Sequence, residues 1–145
     1  MATCTINEVE CEFEDGQSIL AVAEAHGIEI PYYCWYPGLS VAANCRMCLA
    51  EIAAPNPRND GKVETIPKLL PTCQTPAADG QIITTRSAKA RSNQNSVMEM
   101  LLLNHPIDCP ICDQAGECTL QDFAYKYGRT GKRFAEEKIT QPKKD

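Results

Sequence analysis

The sequence predicts an α+β chain in two parts, a strand-bearing first part with one helix and a small helical second part. Three observations carry that prediction. Residues 3–13 alternate between apolar and polar, two later stretches repeat with helical periodicity around a tight loop, and most of the nine cysteines lie where neither period holds. A length of 145 residues suits one domain or two small modules that share an interface.

The elements follow in order. Ile6, Val9 and Phe13 stand among polar neighbours, and Asp15-Gly16 supplies a turn, so the N-terminus reads as a short β-hairpin carrying Cys4 and Cys11 as buried small apolar residues. Ser18 to His26 reads as a helix with Ile19, Val22, Ala23 and His26 on one face, and Gly27 as its C-terminal cap. Residues 28–48 contain Pro31, Pro37, Gly38 and three cysteines and have little period, which predicts a long functional loop. Cys48 to Ile52 and Gln81 to Thr85 read as strands, and the polar, Pro-rich stretch 54–68 as an inserted excursion. Ala88 to Asn104 is expected to be helical, with Val97 and Leu101 four apart and Met98 and Leu102 likewise, until His105-Pro106 stops it. A tight loop at 105–118 precedes a second helix, Thr119 to Tyr127, with Leu120, Phe123, Ala124 and Tyr127 on one face and Gly128 at its end. The charged run 129–145, with Lys132, Arg133, Lys138, Lys143 and Lys144 against Glu136, Glu137 and Asp145, reads as a solvated tail or linker. The expected division is therefore 1–86, 87–128 and 129–145.

Composition narrows the function. A net charge of −5 disfavours a nucleic-acid binder. No stretch approaches the length of apolar sequence that spans a bilayer, and the N-terminus lacks the basic and apolar regions of a signal peptide, so a reducing compartment is expected. An odd number of cysteines and two C-x-x-C pairs in such a chain argue for metal rather than disulfides. No acid–base pair suggests a substrate-turnover site.

Two constellations carry the chemistry. The first is Cys34, Cys45, Cys48 and Cys73, spaced C-x10-C-x2-C-x24-C. Four thiolates, three from one loop and one from a distant segment, are what a [2Fe–2S] cluster needs, and Ala42, Ala43 and Asn44 suit a loop whose backbone N–H groups face sulfur. The same thiolates also suit a Cys4 zinc site. Arg46, inside the C-x-x-C, is positioned either to offset cluster charge or simply to face solvent. The second constellation is His105, Cys109, Cys112 and Cys118, spaced H-x3-C-x2-C-x5-C, which fits Cys3His zinc or a [4Fe–4S] cluster with one imidazole ligand. Imidazole in place of a thiolate lowers the negative charge on a cluster and raises its potential. Cys118 opens the second helix, whose free N–H groups favour an anion.

The segment PYYCWYPGLSVAANCRMC (residues 31–48) resembles the first signature of the 75 kDa (G) subunit family of respiratory NADH dehydrogenase, complex I, and CPICDQAGECTLQD (residues 109–122) resembles the second. The resemblance covers roughly residues 1 to 135. It implies a β-grasp ferredoxin-like domain with a [2Fe–2S] cluster on Cys34, Cys45, Cys48 and Cys73. It further implies a helical module with a [4Fe–4S] cluster on His105, Cys109, Cys112 and Cys118. Electrons would come from the flavin/NADH-binding subunit and pass towards quinone, with other hydrophilic-arm subunits as partners and a peripheral place on the cytoplasmic side of a bacterial inner membrane. [FeFe]-hydrogenases and the diaphorase parts of NAD-linked hydrogenases and formate dehydrogenases look similar over this region; a zinc-stabilised interaction module is the alternative of another class. Two positions depart from the family pattern. Ala43 stands where Gly is usual, at a cost of about 1 kcal/mol if φ is positive there, and Ala115 stands where Gly or Ser is usual. Family members also continue with a further Cys-rich segment and a molybdopterin-type domain, whereas no cysteine follows Cys118 here.

Overall fold

The computed structural model describes residues 2–140 and Pro142; Lys143, Lys144 and Asp145 of the charged run lie outside the described residues. Among the described residues the chain forms one mixed sheet and three α-helices. Strands β1 (Ala2–Ile6) and β2 (Val9–Phe13) pair antiparallel, with Cys4 opposite Cys11 and Ile6 opposite Val9. The hairpin turn is not at Asp15-Gly16, which forms a separate turn further on, but at Asn7 and Glu8, both left-handed with φ of +48° and +73°. Two consecutive left-handed residues match the twist of the flanking strands. Asn7 is held in that conformation from a distance. Its Nδ2 donates to Thr85 Oγ1 at 2.7 Å, and its Oδ1 accepts from the Thr85 N–H at 2.9 Å.

Helix α1 (Ile19–Ala25) starts on Ser18, whose Oγ accepts the Ala21 N–H at 3.2 Å. It ends with Gly27 at φ +68°, and the N–H groups of Gly27 and Ile28 return to the carbonyls of Glu24 and Ala23. That paired bonding requires the left-handed glycine. Ile19, Leu20, Val22 and Ala23 are buried, but His26 is not on that face: it is exposed, with Nδ1 2.9 Å from the Val22 carbonyl oxygen.

Strand β3 (Leu49–Pro55) runs longer than expected because the excursion after it folds back. β4 (Val63–Thr65) pairs with its far end, and Asn56 and Asn59 both donate to Glu64 across the turn. β5 (Leu70–Pro71) pairs with the near end of β3, and β6 (Ile82–Thr84) lies parallel to β1 and antiparallel to β3. The order is β2-β1-β6-β3-β4, with β5 beside β3 off that path. Ile6, Leu20, Val22, Ile52 and Ile83 are fully buried between sheet and helix, each stabilising the fold by about 1.5–3 kcal/mol relative to exposure. Cys4 and Cys11 share that core, and burial together with Cys11 pushes the Cys4 thiol up to about 11, so both are packing residues here.

The chain separates into two compact units, with the division between Gln94 and Asn95 inside α2 (Ala88–Leu102). Within the first unit Ala90 and Gln94 are the buried residues of this helix, and Gln94 Nε2 donates to the Thr85 carbonyl at 3.2 Å. Within the second unit Val97 and Met98 are buried, while Leu101 is exposed despite its place in the expected apolar pair. Helix α3 (Thr119–Tyr127) keeps its expected face, with Tyr127 buried and Phe123 edge-on to it at 5.3 Å. It ends at Gly128, a position that needs glycine because a Cβ there would collide with the Ala124 carbonyl. The described part of the charged run is exposed except for half-buried Lys138, yet tied down: Arg133 pairs with Glu99, and Lys138 and Ile139 bond the chain at and just after the end of α2. No helix among the described residues is long and apolar enough to cross a membrane.

Candidate metal centres

The loop from Ile28 to Cys48 is anchored before its first cysteine. The Tyr32 hydroxyl donates to Glu24 Oε1 at 2.7 Å, and its ring meets Trp35 edge-on at 5.3 Å. Cys34 follows, half-buried, and accepts the backbone N–H of Cys45 on its sulfur at 3.5 Å. Burial alone raises the Cys34 thiol, but donors from Cys45 and Asn44 outweigh it and bring the thiol below its ordinary value. Such donors are what an anionic sulfur ligand requires. Cys48 and Cys73 are buried at the inner side of the loop. Cys73 is pushed up to about 12 by its burial and by the repulsion of Cys48, Cys34 and Cys45, so it feels each of the other three. Neighbouring sulfurs repel one another once charged, and cations bound among them offset that repulsion, which is the condition bound iron meets.

Two side chains that sequence patterns did not single out hold this set in place. Thr72 is fully buried; its Oγ1 and N–H both donate to the Cys48 carbonyl, at 3.0 and 3.3 Å, and so fasten the Cys73 segment to the C-x-x-C. Asn93 on α2 donates to the Arg46 carbonyl at 2.8 Å. Arg46 needs that support because it is left-handed, with φ of +58°, and its side chain is exposed to solvent. Neither role has a signature in local sequence, since both partners are distant along the chain.

Ala43 has φ of +49° and is buried. An alanine in this region carries strain that glycine lacks. Ala43→Gly is therefore expected to stabilise the folded chain by about 1 kcal/mol, read as a rise in the denaturant midpoint at constant slope. A fall in the midpoint would mean that the lost methyl contact outweighs the relief.

The second set surrounds a cavity of ≈ 250 Å³ lined by His105, Cys109, Cys112, Cys118, Ala115 and Gln121, among others. His105, Cys109 and Cys118 are half-buried and Cys112 is exposed. The path is bent twice. Ile107 is left-handed at φ +57°, unusual for a β-branched residue, and Gly116 turns the chain at +89°. Between these bends the N–H of Cys112 donates to the Cys109 carbonyl and that of Ala115 to the Cys112 carbonyl. Cys118 caps α3, its sulfur accepting the Gln121 N–H at 3.4 Å. Three sulfurs and an imidazole lining one cavity beside a helix N-terminus form a donor set that suits an iron–sulfur cluster. Among the described residues, no three His, Cys, Asp or Glu side chains converge as a single ion would require.

Compared with known proteins, residues 1–88 match the family model of the 2Fe-2S iron-sulfur cluster binding domain. The chain belongs to that family. Cys34, Cys45, Cys48 and Cys73 fall inside the matched [2Fe–2S] domain, and residues 94–133, which hold His105, Cys109, Cys112 and Cys118, match the NADH-ubiquinone oxidoreductase-G iron-sulfur binding region. The chain thus combines the [2Fe–2S] domain with a [4Fe–4S] region. It is 43% identical over 145 residues to the second NADH-quinone oxidoreductase G subunit of Rhizobium meliloti (strain 1021), covering 100% of this chain and 16% of that one. Over 138 residues it is 41% identical to the NADH-quinone oxidoreductase G subunit of Rickettsia bellii (strain RML369-C), covering 95% of this chain and 19% of the relative. The NADH-ubiquinone oxidoreductase 78 kDa subunit, mitochondrial, of Candida albicans (strain SC5314) is 41% identical over 132 residues, covering 91% and 17%. The [2Fe–2S] domain and the [4Fe–4S] region of this chain therefore span less than a fifth of these relatives. Among solved structures, a chain of an NAD+-reducing [NiFe]-hydrogenase in the H2-reduced state superposes with a TM-score of 0.76 at 29% identity, over 97% of this chain and 55% of that one.

Proposed function

We propose that this chain is the electron-relaying iron–sulfur portion of an NADH:quinone oxidoreductase. It would take electrons from the flavin/NADH-binding subunit, pass them towards quinone, and sit with the other hydrophilic-arm subunits on the cytoplasmic side of a bacterial inner membrane. The observation that carries the reading is the succession of two ligand sets inside two successive family matches, the second of them named for the NADH-ubiquinone oxidoreductase G subunit. We assign Cys34, Cys45, Cys48 and Cys73 to the binuclear cluster and His105, Cys109, Cys112 and Cys118 to the tetranuclear one, on a β-grasp domain of residues 1–86 and a helical module of residues 87–128. Bound clusters supply reversible one-electron storage. The chain's own residues bury Cys48 and Cys73 away from water, aim the Cys45 N–H at Cys34, and set one imidazole and three cysteine side chains around a single cavity. Hydrogen bonds and burial of this kind set potentials. Likeness to the hydrogenase chain supports a second reading, an electron-input part of an NAD-linked hydrogenase; the proteins that co-purify with the native chain decide between them.

Iron and acid-labile sulfide analysis of anaerobically prepared protein, with EPR after reduction, tests the assignment. About six irons per chain with binuclear and tetranuclear signals is the expected result. Stoichiometric zinc and no iron, after anaerobic reconstitution, would reject it in favour of a zinc-stabilised module.

A further inference from the structure

We propose that Lys138 is a positioning residue for the second centre: its ammonium holds the backbone of His105 in place and keeps a positive charge beside the cluster. This rests on the assignment of His105 as a ligand. The Lys138 Nζ donates to the Leu102 carbonyl at 2.9 Å and to the His105 carbonyl at 2.5 Å. The next residue joins in, because the Ile139 N–H donates to Asn104 Oδ1 at 3.0 Å. Three hydrogen bonds from two adjacent residues thus seize the stretch 102–105, within a run whose composition suggested only a solvated tail.

The stretch needs an external hold. Helix α2 ends at Leu102 with no basic residue in its last turn, so its final carbonyls gain no countercharge from the helix itself. Pro106 offers no N–H and forces His105 towards extended backbone. One residue later Ile107 is left-handed, a conformation that persists only where its surroundings dictate it. Lys138 answers both needs. It caps the helix end and pins the carbonyl of the residue whose ring lines the cysteine cavity. A cation bonded to the backbone of a residue that lines that cavity also favours the more negative, reduced state of whatever cluster the cavity holds.

The test uses the full chain, reconstituted anaerobically, in the variants Lys138→Met, Lys138→Arg and His105→Ala. At a potential that half-reduces the wild-type tetranuclear cluster, Lys138→Met should lower the reduced-to-oxidised ratio about tenfold and change the tetranuclear EPR line shape. The binuclear signal should stay intact, reporting that the first unit is folded, and Lys138→Arg, by restoring both readouts, should report that the second unit folds. A Lys138→Met protein that titrates as wild type overturns the proposal, as does a Lys138→Arg protein equally impaired. His105→Ala separates the two levels. If it leaves the tetranuclear signal unaltered, the ligand assignment itself fails; if it alters that signal while Lys138→Met does not, only the role of Lys138 is lost.

Discussion

Cys45→Ser should abolish the binuclear EPR signal completely, lower the iron content from about six to about four per chain, and leave the tetranuclear signal in place. Cys45 is half-buried, its N–H donates to the Cys34 sulfur, and it adds to the repulsion that raises Cys73, so it is linked to two other members of its set. A serine oxygen is smaller and far harder to ionise than a thiol, and it is a poor match for iron that prefers sulfur. The second set lies in the other compact unit and draws all four donors from residues 105–118, so nothing in its ligand shell depends on Cys45. Loss of both signals together would show that the two centres assemble as one.

Stripping the metal should unfold residues 105–118 before any strand is lost. Apart from the long-range bond from Lys138 to the His105 carbonyl, its described hydrogen bonds are short-range, such as Ile111 to Asp108 and Glu117 to Gln114, and most of its residues are exposed. Among the described residues, no fully buried apolar side chain lies between Met98 and Tyr127. The first unit, by contrast, has a core of Ile6, Leu20, Ile52 and Ile83, apolar side chains that are not metal ligands. Structural metal binding is worth on the order of 10 kcal/mol in small domains that fold around it, and here that energy has no substitute. Hydrogen exchange on the apo protein should therefore show amides 106–117 losing protection on the order of a hundredfold while β1, β3 and β6 hold theirs. Protection that survives in the loop would mean that side-chain packing, not metal, shapes it.

Much of this is legible in the residues. Both candidate ligand sets stand out because cysteine spacing is a local record of which atoms could meet, and α3 has the bounds its periodicity implies. Local signal misleads where a distant partner overrides it. Asn7-Glu8 is an unremarkable dipeptide until Thr85, 78 positions from Asn7, fills both functions of its amide. The stretch 54–68 looks irregular, but Glu64 gathers Asn56 and Asn59 and closes it into paired strands. His26 and Leu101 fit apolar periods at helix ends, where the face they share has already run out of neighbours to bury it. Lys138 is hidden in plain charge, since a lysine among lysines and glutamates gives no hint that two carbonyls await it.

The outermost strands carry one more consequence. β2 borders the sheet on one side and β4 on the other, and each presents glutamates to solvent, Glu10 and Glu12 on the first and Glu64 on the second. An open strand invites the same strand of another copy to add to it, and like charges facing each other across such a seam oppose it. The repulsion fades beyond about 8 Å at physiological ionic strength and weakens further as salt is added. Concentrated stocks of this chain should therefore stay monodisperse in dilute buffer and begin to self-associate through their sheet borders as salt rises, which light scattering across a salt series would register.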